Sequence, residues 1–139
     1  MVDVTVSRTF RAASETVARV MFDPSRDAEW IGGARAAEKL TPGPYGAGTR
    51  VKRTGGFLGR SFSWETEVTE YEPDRQARMN YVAGPFKGGV DYSVAPAGTG
   101  SEVTIRNYGE ASFWFPFMGA VMRMSVGKDL ERLRSLVGG

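Results

Sequence analysis

The side chains that are missing from this sequence limit its chemistry more than those that are present. The 139 residues include no histidine and no cysteine. The chain therefore has no thiol nucleophile, no disulfide, no Ser-His-Asp triad and no ordinary zinc site. Any general acid or base must be an Asp, Glu, Tyr, Lys or Arg side chain, or a bound water molecule. The sequence predicts neither a metal site nor a cofactor.

Several polar residues fall on the inward face of predicted strands, where a buried polar group needs a partner. Arg53 and Asn107 are candidates to hold the polar end of a ligand, because an anionic head group would satisfy a buried guanidinium. A slip of one residue in the strand register would turn Arg53 outward. The inward set also contains two tyrosines and two threonines, Tyr81, Tyr92, Thr49 and Thr66. We interpret the threonines as residues that lie at strand ends, reach water or bond to other members of this inward polar set.

Large aromatic and methionine side chains recur at inward strand positions and along the last predicted helix. As ordinary core residues they would fill the space between sheet and helix. As a lining they would suit an adaptable apolar site. Periodicity alone does not separate these two interpretations. The residues that we predict to line a ligand cavity are Trp30, Arg53, Trp64, Met79, Tyr81, Tyr92, Asn107, Phe117, Met118, Val121 and Met122.

Asp129 is an acidic residue within the apolar face of the last predicted helix, between Met122, Val126 and Leu133. A single carboxylate without a nearby partner motif is a poor acid–base system, which favours a structural role over a catalytic one. We expect Asp129 to pair with an arginine or to bond to the backbone near the small helices.

Hydrophobic periodicity predicts the elements that position these residues. Residues 2–10 alternate between apolar and polar side chains, as a half-buried strand does. A short helix then stops before Pro24, and Asp23 with Pro24 can start a second one that carries Trp30 and Ile31 inward. From about residue 34 onward, alternating segments are joined by short turns. Short turns join neighbouring antiparallel strands, so the sequence predicts a meander.

A final helix is predicted from about residue 116 to residue 137. Its first half is apolar almost all round and its second half is narrowly amphipathic, so we expect an enclosed start and a half-exposed end. One long helix after a meander can bury its apolar stripe on the concave face of the sheet, which indicates an α+β fold around a cavity. The dense apolar stretch at residues 113–117 is either a plug at one end of the core or a lip at the cavity mouth.

The charge pattern does not favour nucleic-acid binding. The net charge is +2, and the nearest approach to a basic cluster is Arg50, Lys52 and Arg53, a pattern typical of a solvated strand. No apolar run is long enough to span a bilayer. The N-terminus lacks a basic region followed by an apolar one. We expect one cytoplasmic domain, residues 1–139, without stable membrane insertion.

Six short motifs in this order resemble the START-like, or SRPBCC, superfamily. They are Ala13-Ser14-Glu15-Thr16-Val17, Phe22-Asp23-Pro24 through Trp30, Gly48-Thr49-Arg50-Val51, Val68 through Arg75, Gly98 through Thr104, and Asp129-Leu130-Glu131-Arg132-Leu133. The chain is most similar to the small bacterial members grouped as polyketide cyclase/dehydrase and lipid-transport proteins. This resemblance implies the Bet v 1-like helix-grip fold. In that fold a seven-stranded curved antiparallel sheet wraps a long C-terminal helix, and two short helices lie between strands 1 and 2.

The resemblance also implies a cavity for an apolar ligand, but fold alone does not fix function. We therefore keep three hypotheses. The first is a carrier or sensor of a hydrophobic small molecule, such as a lipid or a polyketide-like compound. The second is a cyclase, dehydratase or isomerase in which Tyr81, Tyr92, Arg53 or Asn107 polarises a carbonyl. The third is a module with a filled core that binds a protein partner.

Overall fold

The computed structural model describes residues 2–57, 59–111 and 117–139. These residues form a seven-stranded sheet and three α-helices. The strands are β1 Val2–Phe10, β2 Ala34–Lys39, β3 Arg50–Phe57, β4 Arg60–Glu72, β5 Gln76–Ala83, β6 Phe86–Ala97 and β7 Gly100–Ala111. The helices are α1 Ser14–Met21, α2 Asp27–Trp30 and α3 Met118–Leu136, and a 3-10 turn covers Pro24–Arg26.

The strands pair in the order β1-β7-β6-β5-β4-β3-β2, and every neighbouring pair is antiparallel. Strands β2 to β7 thus follow one another as a meander, and β1 closes the far edge beside β7. Register shifts interrupt the β2–β3 and β4–β5 pairs. Such bulges bend and twist a strand, which helps the sheet to curve. The predicted α+β helix-grip fold, with two short helices between β1 and β2, is confirmed.

The inner face of the sheet follows the predicted alternation. Val68, Val94 and Val103 are fully buried there, and Phe62 and Trp64 lie on the same face of β4. The broken helix pair also forms as predicted, since the side chain of Asp23 accepts a hydrogen bond from the backbone of Ser25 at the start of the 3-10 turn. This arrangement carries Trp30 into the core.

Helix α3 differs from the sequence expectation in where it is buried. Its buried hydrophobic residues run from its middle towards its end, at Val126, Leu130 and Leu133, whereas Phe117 before its start is 84% exposed and Met124 is 62% exposed. The expectation of an enclosed start is therefore wrong, whereas the end of the helix is half-exposed as expected. The helix packs against β1, α1 and α2, while Met122 and Ser125 in its first half border a pocket instead of filling it. None of the described helices is long and apolar enough to cross a membrane.

Candidate functional site

A concavity lies between the inner face of the sheet, the α2 turn and the residues of α3 from Met122 to Asp129. We call it the central pocket, and its volume is about 140 Å³. Its walls come from α2, from strands β3 to β7 and from α3. The lining residues are Trp30, Ile31, Gly33, Arg53, Gly56, Phe62, Trp64, Thr66, Tyr81, Phe86, Val90, Tyr92, Ile105, Asn107, Met122, Ser125, Val126 and Asp129.

Aromatic rings form one wall of the central pocket. Phe62, Trp64 and Phe86 lie in mutual ring contact, with centroids 5.6 to 6.1 Å apart, and Tyr81 contacts Phe86 at 5.3 Å. Edge-on and tilted contacts of this kind are the favoured geometry for aromatic pairs. The wall therefore offers a large, firm apolar surface to whatever occupies the pocket.

The structure brings together most of the residues that the sequence selected. Seven of the eleven line the central pocket, namely Trp30, Arg53, Trp64, Tyr81, Tyr92, Asn107 and Met122. Met118 lies instead on a smaller concavity of about 40 Å³, the outer groove, whose lining shares Tyr81, Phe86, Asn107 and Met122 with the central pocket.

The remaining three candidates are placed elsewhere. Met79 is buried in the core on β5, and its sulfur accepts a hydrogen bond from the Tyr45 hydroxyl at 3.8 Å. Val121 is half-buried on α3, and Phe117 is exposed. None of these three lines the central pocket or the outer groove. Residues 113–116 of the apolar stretch proposed as a plug or a lip lie outside the described residues.

Arg53 carries the main positive charge of the central pocket, and it is paired. Its guanidinium Nε donates to Asp27 Oδ2 at 2.7 Å, and its Nη1 donates to Thr66 Oγ1 at 2.8 Å. Arg53 is 4% exposed and Asp27 is 1% exposed, so the prediction that Arg53 points inward is confirmed. Thr66 thus bonds to another member of the inward polar set, as the sequence interpretation allowed. No external anion is needed to satisfy this guanidinium.

Burial and charge act in opposite directions on this pair. Burial raises the pKa of the Asp27 carboxyl, and the neighbouring Arg53 opposes that rise. Burial alone would lower the pKa of Arg53. The negative charge of Asp27 is the strongest of the interactions that oppose this effect, and together they raise the pKa of Arg53 above its ordinary value. Because arginine keeps its proton in proteins, and the contact has the short length of a charge-assisted bond, we describe the pair as guanidinium and carboxylate.

Sequence reasoning missed Asp27, although a signal for it exists. Pro24, Asp27 and Trp30 are spaced three residues apart, and all three are buried. In helical turns this spacing places side chains on one face. A charged residue between two inward residues on such a face must find a buried partner, and Arg53 was the inward cation available.

Tyrosine hydroxyls supply neutral hydrogen-bonding groups around the same pocket. The Tyr81 hydroxyl donates to Asn107 Oδ1 at 3.0 Å, at the border between the central pocket and the outer groove. Burial raises the pKa of Tyr81 to about 12, and it raises the pKa of Tyr92 well above its usual value. Both hydroxyls therefore keep their protons at physiological pH and can donate hydrogen bonds.

Trp30 combines deep burial with an unmatched donor. The side chain is 1% exposed, its ring packs edge-on against Tyr92 at 5.6 Å, and it lines the central pocket. Its indole N–H has no hydrogen-bond acceptor among the described residues. A buried donor without an acceptor is rare and destabilising, which marks this position as one where a bound acceptor would be favourable.

Asp129 closes the pocket on the α3 side. Its Oδ1 accepts a hydrogen bond from the backbone N–H of Gly32 and another from Arg132 Nη1, each at 2.9 Å. The expected contacts with an arginine and with backbone near the small helices are thus confirmed. A Cβ at Gly32 would lie 2.4 Å from the Arg132 guanidinium, so a larger residue there would require that flexible side chain to move. Burial raises the pKa of Asp129 to about 6, against the lowering effects of Gly32 and Arg132.

Within the described ranges, no group of three or more Asp and Glu side chains is arranged to hold a metal ion.

Comparison with known proteins identifies the family. Residues 1–138 match the family model described as polyketide cyclase / dehydrase and lipid transport. The chain belongs to this family. This match agrees with the START-like, or SRPBCC, resemblance that the sequence motifs indicated. Among curated proteins, none matches the chain significantly.

Several solved protein structures share the fold. A protein from Thermus thermophilus superposes with a TM-score of 0.79 at 21% identity, covering 97% of this chain and 96% of that one. A START superfamily protein from Mycobacterium smegmatis gives 0.74 at 18% identity, with 98% and 94% covered. The Zhui aromatase/cyclase from Streptomyces sp. R1128 gives 0.76 at 16% identity, with 98% and 93% covered. At these identities the likeness concerns the fold alone.

Proposed function

We propose that this family member binds a hydrophobic small molecule in the central pocket and acts as a carrier or sensor. The observation that carries the proposal is the pocket itself. One wall is aromatic, and the polar groups are few and gathered at defined points, which is the usual composition of small-molecule sites. The orphaned Trp30 indole N–H supports it, because a ligand acceptor would satisfy that donor.

A pair of methionines on α3 provides a matched test. Met122 lines the central pocket, whereas Met124 lies two residues further on and is 62% exposed. The same substitution at both positions adds the same bulk, but only Met122→Trp places it in the pocket. We expect Met122→Trp to abolish binding of an environment-sensitive apolar fluorophore and Met124→Trp to leave it unchanged. Equal binding by both variants would contradict a ligand site in the central pocket.

The natural ligand can be sought directly. Native mass spectrometry of gently purified protein, followed by organic extraction, is expected to show a bound compound that is absent from Met122→Trp and present in Met124→Trp. A protein partner retained by both variants, with no bound compound and no fluorophore binding, would favour the interaction-module hypothesis instead.

A second candidate function is an enzyme of the cyclase, dehydratase or isomerase type. The observation that favours it is Asp129, a carboxyl group on the pocket wall that changes protonation near pH 6. A group that titrates near neutral pH is suited to proton transfer. Incubation of cell extract with protein, compared with Asp129→Asn, tests this. A new small-molecule product that requires Asp129 supports the enzyme, and identical product profiles support the carrier.

A further inference from the structure

We propose that the central pocket selects small uncharged molecules carrying a hydrogen-bonding oxygen, and that Asp27 sets this preference by neutralising Arg53. The inference rests on the proposed function and adds to it the size and charge class of the ligand. Three independent features of the pocket support it, namely its volume, its charge balance and the unmatched indole N–H of Trp30.

The volume sets the size class. At about 140 Å³ the central pocket is smaller than typical sites for drug-sized ligands, which begin at about 300 Å³. It is close to an engineered protein cavity of about 150 Å³ that holds benzene. A molecule built on one ring therefore fits the pocket as it stands. Longer chains and fused rings would need part of the outer groove as well.

The charge balance disfavours anions. Arg53 is the only cation that lines the described pocket, and its Nε is engaged by Asp27 at 2.7 Å while Nη1 is engaged by Thr66. The other lining charge is Asp129, a carboxylate whose partner Arg132 is not on the pocket wall. An entering carboxylate would thus lose its hydration, compete with Asp27 for an occupied guanidinium and face Asp129. Uncompensated desolvation of this kind is costly.

The available hydrogen bonds favour a neutral oxygen. The indole N–H of Trp30 lacks an acceptor among the described residues, and the Tyr92 ring packed against it keeps its hydroxyl proton. A carbonyl or hydroxyl oxygen on a ring would accept from these donors without bringing a charge. Because the rest of the wall is aromatic, the same molecule would bury its ring against Phe62, Trp64 and Phe86.

Benzamide and benzoate test the proposal, since they have the same ring and a planar head group of the same shape but differ in charge. Each is titrated into the protein at neutral pH, followed by NMR of the tryptophan indole N–H signals, with the Trp30 signal identified from a Trp30→Phe variant. We expect benzamide to bind at least about tenfold more tightly than benzoate, and Asp27→Asn to reverse that order by leaving Arg53 unpaired.

A double variant protects the test from misfolding of Asp27→Asn. In Asp27→Leu/Arg53→Met both charges are replaced by apolar groups of similar size, which buried ion pairs often tolerate. This variant is expected to keep the preference for benzamide, because the pocket again has no uncompensated cation. Met122→Trp is expected to abolish binding of both probes and Met124→Trp to preserve it.

Each outcome decides between the two proposals. Benzoate binding as tightly as benzamide to the wild-type protein, or preferred by the double variant, would overturn the charge preference. If Met122→Trp still abolished that binding, the proposed ligand site would stand. If neither benzamide nor benzoate shows binding that Met122→Trp abolishes, the proposed size of the ligand is wrong. The extraction experiment would then test the proposed function separately.

Discussion

Two aspartate–arginine pairs flank the central pocket, and they differ in their access to water. Asp27 and Arg53 are held 2.7 Å apart with side chains 1% and 5% exposed. Asp129 and Arg132 are 2.9 Å apart, but the carboxylate is 14% exposed and the guanidinium 47%. The first pair joins two elements distant in sequence, α2 and β3, and the second joins adjacent turns of α3. We call Asp27–Arg53, which is shielded from water, the dry pair, and Asp129–Arg132, which is partly exposed to water, the half-wet pair.

This difference in burial assigns the pairs different tasks. Neither partner of the dry pair can be rehydrated in place, so each needs the other and the pair fixes both α2 and the charge balance of the pocket. In the half-wet pair Arg132 can turn to solvent, and it compensates Asp129 only partly. Burial therefore raises the pKa of Asp129 to about 6, which makes that carboxyl responsive to pH.

The largest effect is expected from breaking the dry pair. Asp27→Asn leaves the Arg53 charge buried without a counter-charge, and we expect the free energy of unfolding to fall by about 3–5 kcal/mol. Urea unfolding followed by circular dichroism measures this. The matched control is Asp3→Asn, since Asp3 pairs with Arg106 with both side chains 46% exposed. A loss from Asp27→Asn no greater than that control would show that Arg53 is solvated in the folded protein.

Removing both charges of the dry pair should restore most of that loss. Asp27→Leu/Arg53→Met eliminates the desolvation of two ions together with their attraction, and such replacements are often neutral or stabilising. We expect a free energy of unfolding within about 1–2 kcal/mol of the wild-type value. A double variant as unstable as Asp27→Asn would mean that shape or hydrogen bonding to Thr66, and not charge balance, is what Asp27 contributes.

A smaller, pH-dependent effect is expected at the half-wet pair. The pKa of Asp129 is higher in the folded state than the ordinary value of 3.8, so the folded state binds the proton more tightly. The stability from this group is then fully present below pH 3.8 and is lost as the pH rises through about 6. Over this window the loss amounts to at most about 3 kcal/mol.

Asp129→Asn isolates this contribution, because Asn cannot ionise but can still accept from Gly32. The difference in unfolding free energy between Asp129→Asn and wild type should shift in favour of the variant as the pH rises from about 4 to about 6. The contributions of the other titratable groups are common to both proteins and cancel in this difference. Asp3→Asn serves as the contrast, since the hydrogen bond from Arg106 lowers the pKa of Asp3 below 3.8, so its pH dependence should have the opposite sign and should lie below that pH. A difference that is flat with pH would contradict the raised pKa of Asp129.

The contrast between the pairs also explains what the sequence could predict. Alternation placed Arg53, Thr66 and Asn107 inward, because a strand has a strict two-residue period and one buried face. The contacts of Asp129 followed from its place on an apolar helix face. In both cases a local pattern determined the orientation of the side chain.

Partners distant in sequence were not accessible in the same way. Asp27 meets Arg53 across 26 positions of the chain, so the local spacing indicates that Asp27 is buried but does not identify its partner. The prediction that the start of α3 is enclosed was wrong for a related reason. Apolar content around Met118, Val121 and Met122 suggested an enclosed start, but the sheet leaves a pocket beside that half of the helix and packs the other half. Periodicity shows which face is apolar, whereas the curvature of the sheet decides how much of it is covered.

The smallest effect is expected from removing the cation of the half-wet pair. Arg132 is close to half exposed, so Arg132→Met should change the free energy of unfolding by less than about 1 kcal/mol at neutral pH. Arg26→Met in the exposed Arg26–Glu29 pair, which has the same three-residue spacing, is the matched control.

The two variants should change the free energy of unfolding by similar amounts at neutral pH, but they should differ in how that change depends on pH. Arg132 lowers the pKa of Asp129, so its removal should move the Asp129 transition to higher pH, whereas Arg26→Met should leave it in place. If Arg132→Met were as damaging as Asp27→Asn, access to water would not be what separates the two pairs.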